Sequence, residues 1–326
     1  MFHMSNYVNN VSLTLSEVLK DIGVDEKTVL RRRRGLLLGE STARTVFQLQ
    51  QRNADMYFFG SQSEGTTTPG LFSDSDRLFS LNNSNVIQDW REWEPAKNNY
   101  MMIQDETVAP GYCRLQLLRH DVPLPYNCVP NEHYFRDRER VLFKNTCIHA
   151  IARQGQVRHG PAHSQEGQPG WVDLDRVAGF PCISWPKQAR HWLDRQGIGH
   201  WPSDNMKRYC ESSGCFVVGV GSKDSDYEEL EWRISTSLAE RCLMYNMNIT
   251  QIRCYVLMKM ILKTYFKPHF GDAISSFICK TVLFHCIANT NSNQWRENNL
   301  LICLTFCLFR LYNCVLNDNC PHFIVH

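Results

Sequence analysis

The sequence predicts an α/β chain in two parts, a mixed sheet followed by a helical lobe, and three observations predict it. Before residue 230 the apolar residues fall in short runs closed by Gly, Pro, Asn or Ser, the habit of strands: residues 56–59, 100–103 and 214–220. From residue 238 to 316 they recur at helical spacing in three longer elements, 254–266, 275–288 and 298–316. The chain is 326 residues long and 43% hydrophobic, enough to bury one large core or two lobes.

In chain order, residues 12–30 place Leu13, Val18, Leu19 and Ile22 at helical spacing, with Ser12 or Ser16 as caps. Arg31 to Arg34 follow and read as a solvated helix face. The apolar strand 56–59 then runs into GSQSEGTTTPGLFSDSD, residues 60–76. Gly60 and Ser61 break that strand into a loop of small residues, which lets backbone N–H groups and a serine hydroxyl approach a phosphate. Asp74 and Asp76 stand two apart; on a strand both carboxylates share a face. Paired carboxylates beside a phosphate loop suit Mg²⁺- or Mn²⁺-dependent phosphoryl chemistry, because these hard cations take oxygen ligands. A solvated loop with turn-capping aspartates fits the same letters.

Strands are expected over 86–93 and 100–103, with a turn at Pro110-Gly111. The polar stretch 153–170 reads as a surface loop, with His159, His163 and the nearby His149 exposed to solvent. Directly after it, Trp171-Val172-Asp173-Leu174-Asp175 alternates apolar residues with acids, so Asp173 and Asp175 share one face of a strand. Either would supply a third carboxylate. A helical pattern begins at Lys187, and Glu231 to Ser237 (EWRISTS) lead into the helical part.

Composition sets limits. A net charge of +2 argues against coating nucleic acid by bulk charge, though not against a local basic patch. The fourteen cysteines form no C-x-x-C pair and several lie in apolar runs, as Cys303 and Cys307 do one turn apart. They read as reduced thiols, with no structural zinc expected. No basic-then-apolar leader opens the sequence, and the apolar run 300–309 is short for a bilayer and stopped by Arg310. The expectation is a cytoplasmic chain with no membrane partner.

A Gly-Ser pair closing an apolar strand, then an acid-x-acid pair about a dozen residues on, resembles the signature of the nucleotidyltransferase superfamily. The longer string GSQSEGTTTPG followed by DSD is similar to the Mab-21-like family, which includes cyclic GMP-AMP synthase and the cGAS-like receptors. The likeness runs over roughly residues 57–325. One departure is that Ser75 and Arg77 flank the second acid where apolar residues are usual. The resemblance implies a bilobal nucleotidyltransferase fold, with a mixed β-sheet core and a C-terminal helical lobe of the HhH/H2TH-like kind. Its divisions would be an N-terminal helical brace over 1–56, the core over 57–230 and the helical lobe over 231–326.

The resemblance also implies a site. Asp74, Asp76 and Asp175 (or Asp173) would hold Mg²⁺ or Mn²⁺, and Gly60 and Ser61 would position a triphosphate. Arg233 and Ser235 match acceptor-nucleotide positions in WRIS, Lys259 matches the nucleotide-reaching lysine after Tyr255-Val256-Leu257-Met258, and Ser276 and Phe277 match a base-stacking segment. Substrates would be ATP and GTP, and the product a cyclic dinucleotide or oligonucleotide messenger in innate immune sensing. A double-stranded RNA or DNA activator would lie across a long helix within 12–52. The family's His-Cys-Cys-Cys zinc insertion has no room between WRIS and Lys259. The alternative is a catalytically silent Mab-21-like binding or developmental scaffold.

Overall fold

The computed structural model describes residues 2–71, 73–149, 157–167, 172–223, 225–271 and 273–325. Two helices open it, α1 (Phe2–Asp21) and α2 (Glu26–Leu49). Gly23, at φ 85°, turns the chain between them, and the Asp25 carboxylate caps α2 by accepting from Thr28 N at 3.0 Å. The single helix expected over 12–52 is therefore two. α1 packs against the C-terminal helix, whereas α2 lies along the first strand, so the pair spans both halves of the molecule.

The arginine run is not the solvated face expected of it. Arg33 is 5% exposed and donates to Glu64 O, Met244 O and Tyr245 O at 2.9–3.0 Å. Arg32 donates to Gly23 O and Thr67 O. Only Arg31 and Arg34 are exposed, because a helix turns consecutive side chains in four different directions.

Next come β1 (Ala54–Phe59), the short helix α3 (Gly60–Glu64), β2 (Ser75–Leu81), β3 (Ser84–Ile87), β4 (Asn98–Ile103) and β5 (Tyr112–Leu117). They are followed by β6 (Tyr134–Asp137), β7 (Arg140–Phe143), α4 (Thr146–His149), β8 (Val157–His159), β9 (Ala162–Gln165) and β10 (Leu174–Cys182). After α5 (Arg190–Asp194) and α6 (Asp204–Ser213), β11 (Cys215–Val218) and β12 (Glu231–Ser235) complete one mixed sheet. Its spine runs β1-β2-β10-β11-β12-β5-β4-β3, with β2 and β10 parallel and most other pairs antiparallel. Trp232, fully buried, stacks on Phe143 and packs against Phe180 at the centre of the sheet's own core.

Two expectations change here. The strand expected over 86–93 ends at Ile87, and Trp90–Glu92 form a 3₁₀ turn capped by Asp89. Within the stretch expected to be a loop, β8 and β9 form a hairpin whose second strand pairs with β10. His163 is accordingly buried, not exposed, and burial lowers its pKa. The rest of that stretch (residues 153–156 and 168–170), Trp171 and the His149 side chain lie outside the described residues.

The helical part contains α7 (Ser237–Tyr245), α8 (Ile249–Ile261), a π turn (Leu262–Phe266), α9 (Lys267–Phe270), α10 (Ser276–Ala288) and α11 (Leu300–Leu316). Its core takes in more than the C-terminal residues: Leu19, Val24, Val29, Trp185, Trp192 and Cys210 pack into it as well. All fourteen cysteines are free thiols, and Cys303 and Cys307 are buried there. Residues Glu297–Leu316 run past Arg310 as one stretch long and apolar enough to cross a membrane by length and composition. Leu300, Cys303, Leu304, Cys307 and Leu311 face the core, which accounts for part of that apolarity.

Candidate active site

The site grows from the meeting of α3 with β2 and β10. Gly60 opens α3 at φ 68°, and a Cβ there would stand 1.8 Å from Asp76 Oδ2. Only glycine lets the Asp76 carboxylate lie against the start of this helix. Asp76 is the antiparallel partner of Phe59 and the parallel partner of Asp175, so adjacent strands bring the two acids side by side. Both line a cleft with Gly60, Glu64, Arg233, Ser235 and Lys280. Burial, then the Asp175 and Asp74 charges, push the Asp76 carboxyl up to about 6.

The other two acids differ. Asp74 precedes β2 rather than lying on it and is exposed at the rim, where desolvation and then Asp175 and Asp173 raise its pKa. Asp173 stands one residue before β10, and its carboxylate accepts from Gly167 N at 2.8 Å. Asp175 instead faces the cleft and accepts from Ser164 Oγ at 2.6 Å. Arg77 leans over the Phe58 ring at 5.3 Å and donates to Ser75 Oγ.

Cations reach the cleft from the helical side. Lys259 on α8 is 8% exposed and donates to Ser61 Oγ at 2.7 Å; burial pulls it down to about 8. Lys280 on α10 pairs with Glu64, the last residue of α3, at 2.5 Å, with Glu240 on α7 at 3.9 Å. Burial lowers the Lys280 pKa, but Glu64, Tyr255 and Glu240 outweigh it and hold the ammonium charged. Arg241 pairs with buried Glu40 of α2 and donates to Phe58 O at 3.0 Å, while Glu40 also accepts from Phe58 N. Brace, sheet and helical part thus meet behind Gly60.

Arg233, Ser235, Ser237 and Glu240 continue from the cleft into a second cavity of about 640 Å³. Arg233 projects from β12 into both cavities, and desolvation of its guanidinium lowers its pKa. The hydroxyls of Ser235 and Ser237 are 2.6 Å apart. Phe277, 42% exposed, stacks on His322 with ring centres 5.5 Å apart. Ser276 is exposed beside it, its carbonyl accepting from the Tyr255 hydroxyl.

Of the residues named from sequence, Gly60, Asp76, Asp175, Arg233 and Ser235 line the cleft and Phe277 the adjoining cavity; Ser61 and Lys259 pair with each other next to Gly60, and Asp74, Asp173 and Ser276 line neither. Glu64, Glu240, Arg241 and His322 were missed. Glu64 had one signal, its place four residues after Gly60 on the same short segment. The oxygen donors of Asp76 and Asp175, with Asp74 nearby, are of the kind a hard divalent cation takes, and a cation would offset the burial and the neighbouring acid charges that raise Asp76. Among the described residues no three acidic, His or Cys side chains converge at coordinating distance as they stand.

A family model described as the Mab-21 protein nucleotidyltransferase domain matches residues 95–246. The Mab-21 protein HhH/H2TH-like domain matches residues 250–326. Together they cover more than two thirds of the chain. The chain belongs to the Mab-21 family. Within this Mab-21 chain the matched ranges meet at the turn between α7 and α8, while α3, Asp74 and Asp76 precede both.

Proposed function

We propose that this Mab-21 protein is a cGAS-like, metal-dependent nucleotidyltransferase that joins ATP and GTP into a cyclic dinucleotide or short oligonucleotide messenger. The observation that carries the reading is one cleft lined by Gly60 and the register-paired Asp76 and Asp175, with Ser61, the residue after Gly60, held by Lys259. Because Lys259 occupies a lone pair of Ser61 Oγ, the serine O–H is free to donate to a phosphate oxygen, and the ammonium adds charge. Gly60 lets the backbone approach that phosphate, and Arg233 and Ser235 hold the acceptor nucleotide with Phe277 under its base. Asp76, Asp175 and Asp74, once turned inward, would hold Mg²⁺ or Mn²⁺, which when bound supplies neutralisation of the triphosphate and acidification of the acceptor hydroxyl.

In this reading a duplex RNA or DNA is the activator and innate immune signalling the setting. Incubation with ATP and GTP, Mg²⁺ or Mn²⁺, with and without duplex, followed by product chromatography, tests it. A new phosphodiester product that Asp76→Asn removes is expected. No product under any of these conditions favours the second reading, a silent Mab-21 scaffold. That reading draws on the three acids' failure to converge and on a nucleotidyltransferase match that begins only at residue 95.

A further inference from the structure

Glu64 is 3% exposed, yet one of its carboxylate oxygens has no partner. Lys280 holds Oε1 at 2.5 Å; Oε2 is buried without a hydrogen bond. A buried acceptor left unpaired is destabilising, and buried carboxylates are ordinarily satisfied on both oxygens. This one lines the cleft beside Gly60 and Asp76, and its charge reaches both Asp76 and Lys259. The fold therefore keeps an oriented acceptor with an open valence at the reacting end of the cleft.

We propose that Glu64 is a substrate-contacting residue whose free carboxylate oxygen accepts a hydrogen bond from a ribose hydroxyl of the bound nucleotide. The inference rests on the nucleotide reading of the cleft. The occupant must be a donor, which excludes phosphate oxygens: they accept, and they share the carboxylate's sign. It is not a nucleobase amine, because the aromatic platform at Phe277 belongs to the neighbouring cavity, which Glu64 does not line. Sugar hydroxyls are the donors a nucleotide carries next to its phosphates. Lys280 is then a positioning residue that fixes the carboxylate's rotamer, and Ser61 and Glu64 hold phosphate and sugar from two ends of one short helix.

The test is a chemical double-mutant cycle. Calorimetry measures binding of ATP, 2′-deoxy-ATP and 3′-deoxy-ATP to the full chain, to Glu64→Gln, and to Glu64→Gln with Lys280→Met, which removes both buried charges. One deoxy analogue should bind the parent about tenfold more weakly than ATP or worse, as loss of a hydrogen bond to a charged group implies. That penalty should vanish in both variants. An equal penalty in parent and variants overturns the contact, and so does a response to metal with no response to either hydroxyl, which assigns Oε2 to metal-bound water. Unfolding of both variants makes the pair purely structural and overturns it too. Failure of the parent to bind ATP at all refutes the nucleotide reading itself, a separate outcome.

Discussion

Replacing Asp76 by Asn tests the site without requiring the activator to be known. Burial and two neighbouring carboxylates raise Asp76 from an ordinary 3.8 to about 6. A shift of two units corresponds to about 3 kcal/mol of unfavourable interaction in the ionised form. The folded value is raised above the unfolded one, so the associated stability is fully present below about pH 4 and is lost as pH rises through about 6. At pH 7.5 the metal-free parent carries that cost, whereas an amide of the same shape does not. Asp76→Asn should therefore melt several degrees higher than the parent at pH 7.5, and its advantage should shrink to little at pH 4. A chain of this size moves roughly 1–2 °C per kcal/mol, which sets the scale. Mn²⁺ should raise the parent's melting temperature at pH 7.5 and leave the variant's unchanged. Scanning fluorimetry across pH, with and without Mn²⁺, reads all of this. A variant no more stable than the parent at pH 7.5, or an advantage independent of pH, would refute the placement of Asp76 in a repulsive, buried acid pair.

Four further outcomes follow from the same geometry. Lys259 is held at about 8, so ATP affinity measured by calorimetry should fall as pH rises through 8, and Lys259→Met should bind weakly with no such pH dependence. Gly60→Ala would drive a methyl into Asp76 Oδ2 at a positive φ; turnover should drop about 100-fold, as for a small misplacement of a reacting group, and unchanged kcat would contradict the close approach. Glu40→Gln strands the buried Arg241 guanidinium and should cost about 3–5 kcal/mol in urea unfolding. Arg31→Glu with Arg34→Glu should leave the melting temperature near the parent's while lowering the salt slope of duplex binding by about two; an unchanged slope would move any duplex site away from α2.

Much of the fold could be read from periodicity, and the reasons for the misses are local. β1, β4, β11 and the helices α8, α10 and α11 carry apolar patterns that no neighbour has to complete. The hairpin of β8 and β9 has none: VRH and AHSQ are polar, and they become strands because β10 offers an edge for β9 to pair with. Asp74 and Asp76 look equivalent as letters. The strand starts between them at Ser75, so only Asp76 acquires a register partner and burial. Asp175 and Asp173 separate for the same reason, β10 beginning at Leu174. Glu64 and Lys280 are more than two hundred residues apart, and one sequence without relatives carries no signal of such a pair.

The distribution of charge around the cleft bears on how a remote surface could reach it. The acids Asp74, Asp76 and Asp175 come from the sheet side, whereas Lys259, Lys280 and Arg241 come from the helical part. Two of the ties between them, Ser61 to Lys259 and Glu64 to Lys280, run through α3. The N-terminal brace grips the same short helix: Arg33 donates to Glu64 O and, with its other nitrogens, to the last carbonyls of α7. Glu40, seven residues further along α2, holds Arg241 and the backbone of Phe58 just before Gly60. A shift of α2 along its axis would therefore have to break buried charged hydrogen bonds or carry α3 and α7 with it, and carrying them is the less costly course. Anything that binds Arg31 and Arg34 on the outer face of α2 acts on the element that sets Gly60, Ser61 and Glu64. The physical requirement for such coupling is that the bound and free positions of α2 differ in affinity for that ligand. Arg33→Met should loosen the linkage, so that duplex still binds the outer face but no longer changes nucleotide affinity, while equal stimulation of parent and variant would show that the signal travels by another route.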